Sequence, residues 1–576
     1  MEVPEELMRG AHELRSTASN AHHEPDTNSL LQWFKSEHHG QIHQSLEVFK
    51  SPGSGLSFRV SETGSTTITA GEPVVVCPLS VSLSYLNAIG GGHPLGRSLN
   101  CTEESSTAFS PEFMQKVPAH VIGRFFLIQQ FLQGTASAWT PYVATLPQPQ
   151  DFDTWALPAV WPKDSTALRL LEGTNAEVAA AEMRQRIESE FRAAWGLLRD
   201  PAYTFALYEW AYCIFTSRSF RPSLVLTEDV KAALTQDGAD NHHRGMVNHA
   251  RLPEGCGIDD FSLLLPVLDI GNHDPRAVIK WQPVVGASRT SLEGSAVLTT
   301  APADTTDQAI VFYTGTAYNK GQQVFNNYGS KSNSELLVGY GFVLAPTDDM
   351  HNDYVHLRKR GALGPSIADE AAGSGNTPPH DFLLSLRPIG EPSSIVGRAR
   401  LAPENRVDKT PTSKRSPGFT IIDDGLLWDM LSLMLSPDAR DEIQRYAVAQ
   451  VKGQQSYLTA PMEEVQAAVP ASELLSTILD LVFRTHDSED TPPLLVQIGT
   501  QVRMNLLYKF DNDLEILQAK DAELGDISPK SSQERVALQY REQYMGVLSN
   551  ALDVLGSEVE GDDGEDEEES ENEDDE

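Results

Sequence analysis

The chain has 576 residues, 40% of them hydrophobic, enough for two or three domains with substantial buried cores. It carries 81 acidic against 44 basic residues, a formal net charge of −37, and fourteen of the acids fall in the last stretch, 558–576. Such a surface repels phosphate backbones and favours basic protein partners, so direct nucleic-acid binding is not the expected role.

The N-terminal stretch, 1–27, is polar and aperiodic, with no apolar run of the kind a secretory leader needs, and no later segment offers eighteen uncharged apolar residues. A cytoplasmic protein is expected, with nuclear entry also compatible, without a membrane anchor and monomeric. Cys77, Cys101, Cys213 and Cys256 are far apart and form no CxxC pair, which points to reduced structural thiols. Asn28 and Ser29 can cap a short helix carrying Leu30, Leu31, Trp33 and Phe34. His38, His39 and His43 follow at helical spacing without a carboxylate or cysteine partner in view, so a surface face is expected rather than a metal site.

From 53 to 86 the chain changes character. Residues 65–76 are rich in Thr, Ile and Val and are interrupted at Gly71 and Pro73, the pattern of short strands joined by turns. From 113 to about 210 the period becomes helical, and 177–198 shows it best, with Ala180, Met183, Ile187, Phe191, Ala194 and Leu198 three or four apart. The pair His242 and His243 falls in a polar loop. Strand character returns in 261–267 and in 309–313, whose expected partner is 323–327, with turns at 304–308 and 318–321. Two stretches, 361–379 and 398–418, have linker composition, the second dotted with Lys409, Lys414 and Arg415. Amphipathic segments at 423–435, 471–484, 494–517 and 533–555 predict a helical C-terminal region. No internal repeat is present, and the acidic end, 556–576, is expected to be a disordered tail.

Three short segments carry the chemistry. Asp269-Ile270-Gly271-Asn272-His273 comes first, followed about fifty residues later by Asn326-Asn327-Tyr328-Gly329, then by Gly339-Tyr340-Gly341-Phe342. Each alone is a turn or a piece of core. In this order and at this separation they resemble the C-terminal signature motifs of the SET-domain protein methyltransferases. Earlier in the chain, Gly53-Ser54-Gly55 is similar to the family's first glycine turn, and Ser217-Arg218-Ser219-Phe220 to its Ser-Arg-x-Phe element. The arrangement most resembles the branch that includes the Rubisco large-subunit methyltransferase and the ribosomal-protein lysine methyltransferases. It departs from the family pattern at Ser54 and Ser57, where bulkier or charged residues are common, and at Gly90-Gly91-Gly92.

The resemblance implies an α+β protein: a mainly-β SET domain over 28–345 with a helical insertion at about 100–205, then an all-α substrate-binding domain over 346–555. It implies S-adenosylmethionine as methyl donor, held by Gly53, Ser54, Gly55, Ser217, Arg218, Asp269, Asn272, His273, Tyr328 and Phe342. Tyr328 is the expected catalytic residue, Phe220 and Tyr340 the walls of the acceptor channel, and no metal is expected. The implied activity is methylation of lysine in a basic protein substrate, with a ribosomal protein expected.

Physical chemistry agrees with an amine acceptor. A lysine with a pKa near 10.4 must lose a proton before it can attack, at roughly 4.6 kcal/mol at pH 7, and an apolar aromatic channel lowers that penalty. Histidine-methylating relatives of this branch carry a polar residue, typically Asn, where Phe220 stands; an imidazole acceptor wants a hydrogen-bonding partner for its second nitrogen. Histidine methylation and a non-catalytic docking role for the same fold are the rival readings.

Overall fold

The computed structural model describes residues 3–14, 26–63, 67–96, 107–236, 247, 250–285, 308–358, 381–401, 415–484, 492–525 and 528–560. Cys101, His242, His243, the stretch 361–379, most of 398–418 and the acidic end beyond 560 lie outside them.

Twelve strands are described: β1 (Gln41–Ile42), β2 (Leu46–Ser51), β3 (Gly55–Val60), β4 (Pro73–Pro78), β5 (Leu83–Ser84), β6 (Ser219–Phe220), β7 (Leu263–Leu264), β8 (Ile279–Val285), β9 (Gln308–Thr314), β10 (Gln323–Val324), β11 (Tyr354–Arg358) and β12 (Asp381–Ser385). They form small antiparallel sheets with orders β1-β4-β9-β8, β10-β3-β2, β5-β7-β6 and β11-β12. In the first, β4 is buried along its whole length, which is why Val74, Val75 and Val76 run without polar interruption. Val75 and Cys77 join the main core, while Val76 meets Val284, Ala309 and Val311 in a second small cluster.

The strand 309–313 pairs with β4 and β8, not with the segment after Gly321 as expected from sequence. That segment supplies β10, which pairs with β3 through Gln323 opposite Arg59 and Val324 opposite Phe58. Hairpin proximity favoured the wrong partner; two buried faces and a long-range register chose the right one.

Between β5 and β6 lies the helical insertion. Its longest helix, Asn175–Leu198, buries Ala176, Ala179, Ala180, Met183, Ile187, Phe191 and Ala194 along one stripe, and Arg199 at φ 55° ends it. The next helix, Phe205–Arg218, is apolar on all sides and buried over most of its length, as a core helix should be. Its packing partners include Phe125 and Phe191, whose rings meet Tyr208 at 5.3 and 5.7 Å. Burying one such ring contributes about 1.5–3 kcal/mol.

The first helix, Thr27–Gln32, is capped by Asp26, which accepts from the Ser29 N–H at 3.0 Å, rather than by Asn28 or Ser29. The nearby histidines are corrected too. His39 takes φ 57°, breaking the helical path, and β1 then tucks against β4. His38 and His43 are therefore buried, 4% and 2% exposed, instead of forming a surface face. His43 Nδ1 accepts from the Ser45 N–H.

The C-terminal region is not wholly helical as expected, since it opens with the antiparallel pair β11 and β12. Helices Asp424–Met434, Ala471–Val482, Pro493–Leu524 and Ser532–Glu560 fall where amphipathic segments are read, and two more, Pro437–Lys452 and Met462–Ala468, lie between them. Helix Ser532–Glu560 packs against Pro493–Leu524, both strands of the pair, and helix Asn333–Tyr340. No single described helix is long and apolar enough to cross a membrane, although the bent pair Met462–Ala468 and Ala471–Val482 together meets that criterion by length and composition.

Candidate functional site

The sheet β5-β7-β6 sets the site's floor. Phe220 is opposite Leu263 and Ser219 opposite Leu264, so the end of helix Phe205–Arg218 lies beside the chain that leads to Asp269. That chain then turns sharply. Val267 is buried and adopts φ 72°, ψ −43°, a conformation that costs a β-branched residue about 1–3 kcal/mol. The turn brings Asp269 to two partners: Tyr142 donates its hydroxyl to Oδ2 at 2.8 Å, and Arg218 Nη1 stands 3.8 Å from the same oxygen. Burial pushes the Asp269 carboxyl above the usual range, and the Arg218 charge and the Tyr142 hydroxyl oppose that push.

Beyond Asp269, two segments distant in sequence are stitched together. Asn326 N–H donates to Asn272 O at 2.7 Å, Asp274 N–H donates to Asn326 O at 3.0 Å, and His273 bridges Asn326 in parallel. Gly271 is needed at this crossing, because a Cβ there would stand 3.1 Å from Asn326 Cβ. Asn327 Nδ2 donates to Pro275 O and Ala277 O. Tyr328 is tied at both ends: its N–H donates to His273 Nδ1 at 3.0 Å and its hydroxyl to Gly271 O at 2.9 Å.

The rings form a column. Tyr328 stacks on His273 at 5.0 Å and on Tyr340 at 4.8 Å, and Phe342 lies 6.2 Å from His273 and 6.3 Å from Tyr340. Helix Asn333–Tyr340, which carries Tyr340, starts at a Ser332–Glu335 capping box and ends at Gly341, φ 79°. Burial pushes both phenols well above their ordinary value, so they stay protonated. Burial also pushes His273 down to about 4, with Asp274 opposing and Lys331 assisting. The ring is neutral at pH 7. With Nδ1 accepting from Tyr328, its proton belongs on Nε2.

A cavity of about 1670 Å³ opens on one side of this column; Ser217, Arg218, Phe220, Asp269, Tyr328 and Tyr340 all line it. Gly53, Ser54, Gly55, Asn272, His273 and Phe342 are not part of that wall. Ser54 is nevertheless joined to the site, since its hydroxyl accepts from Asn272 Nδ2 at 2.9 Å across 218 positions of sequence. Ser57, the other departure from the family pattern, accepts from Gln323 Nε2. Small hydroxyl side chains here hold the first glycine turn to the later segments.

Sequence reasoning missed three participants. Tyr142 lies in a short turn of helix with no local mark of function; only the need of a buried carboxylate for a partner could have indicated it. Trp281 lines the cavity and meets Phe220 edge-on at 5.4 Å. Lys331 lines it too, with Nζ 5.9 Å from the centre of the Tyr340 ring. Chemically, the cavity offers aromatic walls for an aliphatic stem and a protonated phenol, that of Tyr328, among its lining groups.

No family model matches the chain. It is similar to the ribosomal lysine N-methyltransferase set10 of Schizosaccharomyces pombe, 26% identical over 334 residues, 56% of this chain and 48% of that protein. It is also similar to the N-lysine methyltransferase SETD6 of Rattus norvegicus, 25% identical over 291 residues, 48% of this chain and 50% of that protein. The chain thus spans about half the length of the curated relatives it matches. A crystal structure of the SET domain of LSMT bound to lysine and AdoHcy aligns over 94% of this chain and 92% of that one, at 14% identity and a TM-score of 0.47.

Proposed function

We propose that this chain belongs to the SET-domain protein methyltransferases of the Rubisco large-subunit and ribosomal-protein lysine branch and transfers methyl groups from S-adenosylmethionine to a lysine side chain of a basic protein, a ribosomal protein being the favoured substrate. One observation carries the reading: Tyr328, fixed to His273 and Gly271, lines one cavity together with Phe220 and Tyr340. Similarity to the ribosomal lysine N-methyltransferase set10 supports the ribosomal substrate, and a cytoplasmic site of action, nuclear entry included, goes with it.

The residues present fit the donor. At Gly53 and Gly55, φ 79° and 78°, a Cβ would meet nothing within 4 Å, and close by His273 Nε2 is buried without a hydrogen-bond partner among the described residues. An open glycine turn beside a buried N–H suits a ligand with polar acceptor atoms. Gly53, Ser54, Gly55, Asn272, His273 and Phe342 would hold it from one side, and Ser217, Arg218, Asp269 and Tyr328 from the other. When bound, S-adenosylmethionine supplies an electrophilic methyl on a sulfonium: the amine lone pair forms the N–C bond, the S–C bond breaks and its electron pair leaves on the thioether.

The chain's own residues prepare the acceptor. The Tyr328 proton is committed to Gly271 O, so the phenol oxygen presents lone pairs that can receive an amine N–H and aim the nitrogen. Phe220 and Tyr340 disfavour a charged ammonium by withholding water. The amine proton passes to water through the cavity, so no histidine base is required. The phenylalanine wall also favours lysine over histidine, because it offers nothing to an imidazole's second nitrogen.

Two measurements test this together. S-adenosylmethionine titrated into the purified chain should bind saturably; no saturable binding would leave a docking protein. Mass spectrometry of lysine and histidine methylation across the proteome, with and without the chain, should show lost lysine methylation on a basic protein. Loss on histidine instead would replace the acceptor.

A further inference from the structure

Lys331 is anchored through its backbone and carries its side chain to the cavity. Asn352 Nδ2 donates to its carbonyl at 2.7 Å, and its Nζ lies over Tyr340, the ring stacked on Tyr328. Among the described residues no carboxylate lies within 4.0 Å of that Nζ.

Most of the other charged groups facing the cavity are engaged in ion pairs or hydrogen bonds. From helix Phe205–Arg218, Arg218 is matched by Asp269. From the insertion, Arg124 and His120 both meet Glu190, and Arg186 and Arg221 have partners as well. Glu335, on Lys331's own side, accepts from the Ser332 N–H and hydroxyl. At the outer loop Asp259 accepts from the Ser223 N–H and Asp260 from the Gly257 N–H, with Glu254 beside them. Behind Tyr328, Asp274 is paired with Arg276.

We propose that Lys331 tunes the protonation of the acceptor: its cation, held over Tyr340 without a carboxylate, disfavours the ammonium form of an incoming lysine and raises the fraction that enters as neutral amine. This rests on the lysine-methyltransferase reading above. Apolar walls alone weaken an ammonium by desolvation; a fixed like charge adds repulsion that acts only on the protonated form. The reach of that charge is seen at His273, which burial lowers first, Asp274 raises in opposition and Lys331 lowers further. Deprotonation removes a whole unit of charge from the cavity, whereas methyl transfer moves one across it, so the cation acts mainly on the first of these. Lys331 is thus a tuning residue rather than one that touches the reacting atoms.

The test compares the full chain with Lys331→Met, Lys331→Gln and Lys331→Arg, each checked for an unchanged melting temperature. Free L-lysine labelled with carbon-13 at Cε, bound together with S-adenosylhomocysteine, is titrated by NMR to read the pKa of the bound amine directly. In parallel, single-turnover methylation of purified ribosomal proteins is followed with enzyme in excess across pH. Met and Gln should raise the bound amine's pKa by about one unit and slow single turnover at pH 7 roughly tenfold, with recovery in alkali; Arg should leave both near wild type. An unshifted bound-amine titration in whichever of Met and Gln folds would overturn the proposal while leaving the methyltransferase reading intact. A wild type that neither binds the donor nor labels lysine overturns both.

Discussion

At the scale of single residues, Tyr328 and His273 form a unit whose parts can be separated. Tyr328→Phe removes one hydroxyl and its bond to Gly271 O, a loss of about 1 kcal/mol in stability. Turnover should fall roughly tenfold or more, because the lone pairs that orient the amine go with it; equal single-turnover rates would remove the residue from the chemistry. His273 yields a pH prediction with a definite sign. Its folded pKa is about 4 against an ordinary 6.5, so the unfolded chain binds the proton more tightly. The neutral ring's contribution is intact above 6.5 and is lost as pH falls toward 4, about 3 kcal/mol in all. Urea melts should therefore show the gap between wild type and His273→Leu narrowing over that interval, and a constant gap would contradict the buried, neutral ring.

At the scale of elements, helix Asn333–Tyr340 matters because it aims Tyr340. Asn333 ties its first turn to three places: Nδ2 donates to Leu344 O, Asp353 Oδ1 and Gln543 Oε1, and Oδ1 accepts from the Leu344 N–H. Asn333→Ala takes the partner from the Leu344 N–H and from Asp353 Oδ1, while Leu344 O keeps Gln543 Nε2, and should cost about 3 kcal/mol in a denaturant melt. If stability were unchanged, the helix would be held by its apolar contacts alone. Helix Pro437–Lys452 shows where reading by period falls short. Its start is marked in sequence, by Ser436 accepting from the Ala439 N–H with proline at the first position. Its buried face is only Ile443, Ala447, Val448 and Ala449, too narrow a stripe to stand out. The pairing of β10 is a different failure, since two residues carry no periodicity at all and a register is settled by what lies opposite.

At the scale of the whole molecule, the C-terminal helices are part of what holds together the half that carries the candidate site. Arg541, its side chain 2% exposed, pairs with Asp521 and donates to the carbonyls of Leu170, Glu172 and Leu517. It joins the last helix to the insertion across some 370 positions of sequence. Arg541→Leu should cost about 3–5 kcal/mol, since four acceptors lose a buried partner. A fragment ending at residue 401 should self-associate on size exclusion, because Val547, Leu548, Ala551 and Leu555 are wholly buried and their counterparts would be bared. A monodisperse fragment would show the two halves to be independent.

What the sequence determined by itself was local chemistry: which segments are helical, where apolar runs become strands, and the identities of Asp269, Asn272, His273, Tyr328 and Tyr340 in an order that resembles one family. Period and residue type are properties of neighbours along the chain, so they survive without coordinates. The tertiary structure decided which distant segments meet: β9 with β4 rather than with the strand nearest in sequence, Ser54 with Asn272, Tyr142 with Asp269, and Lys331 over Tyr340. The strand pairing follows from burying two faces at once and the Tyr142–Asp269 bond from giving a buried carboxylate a partner, conditions that exist only once the chain has closed on itself.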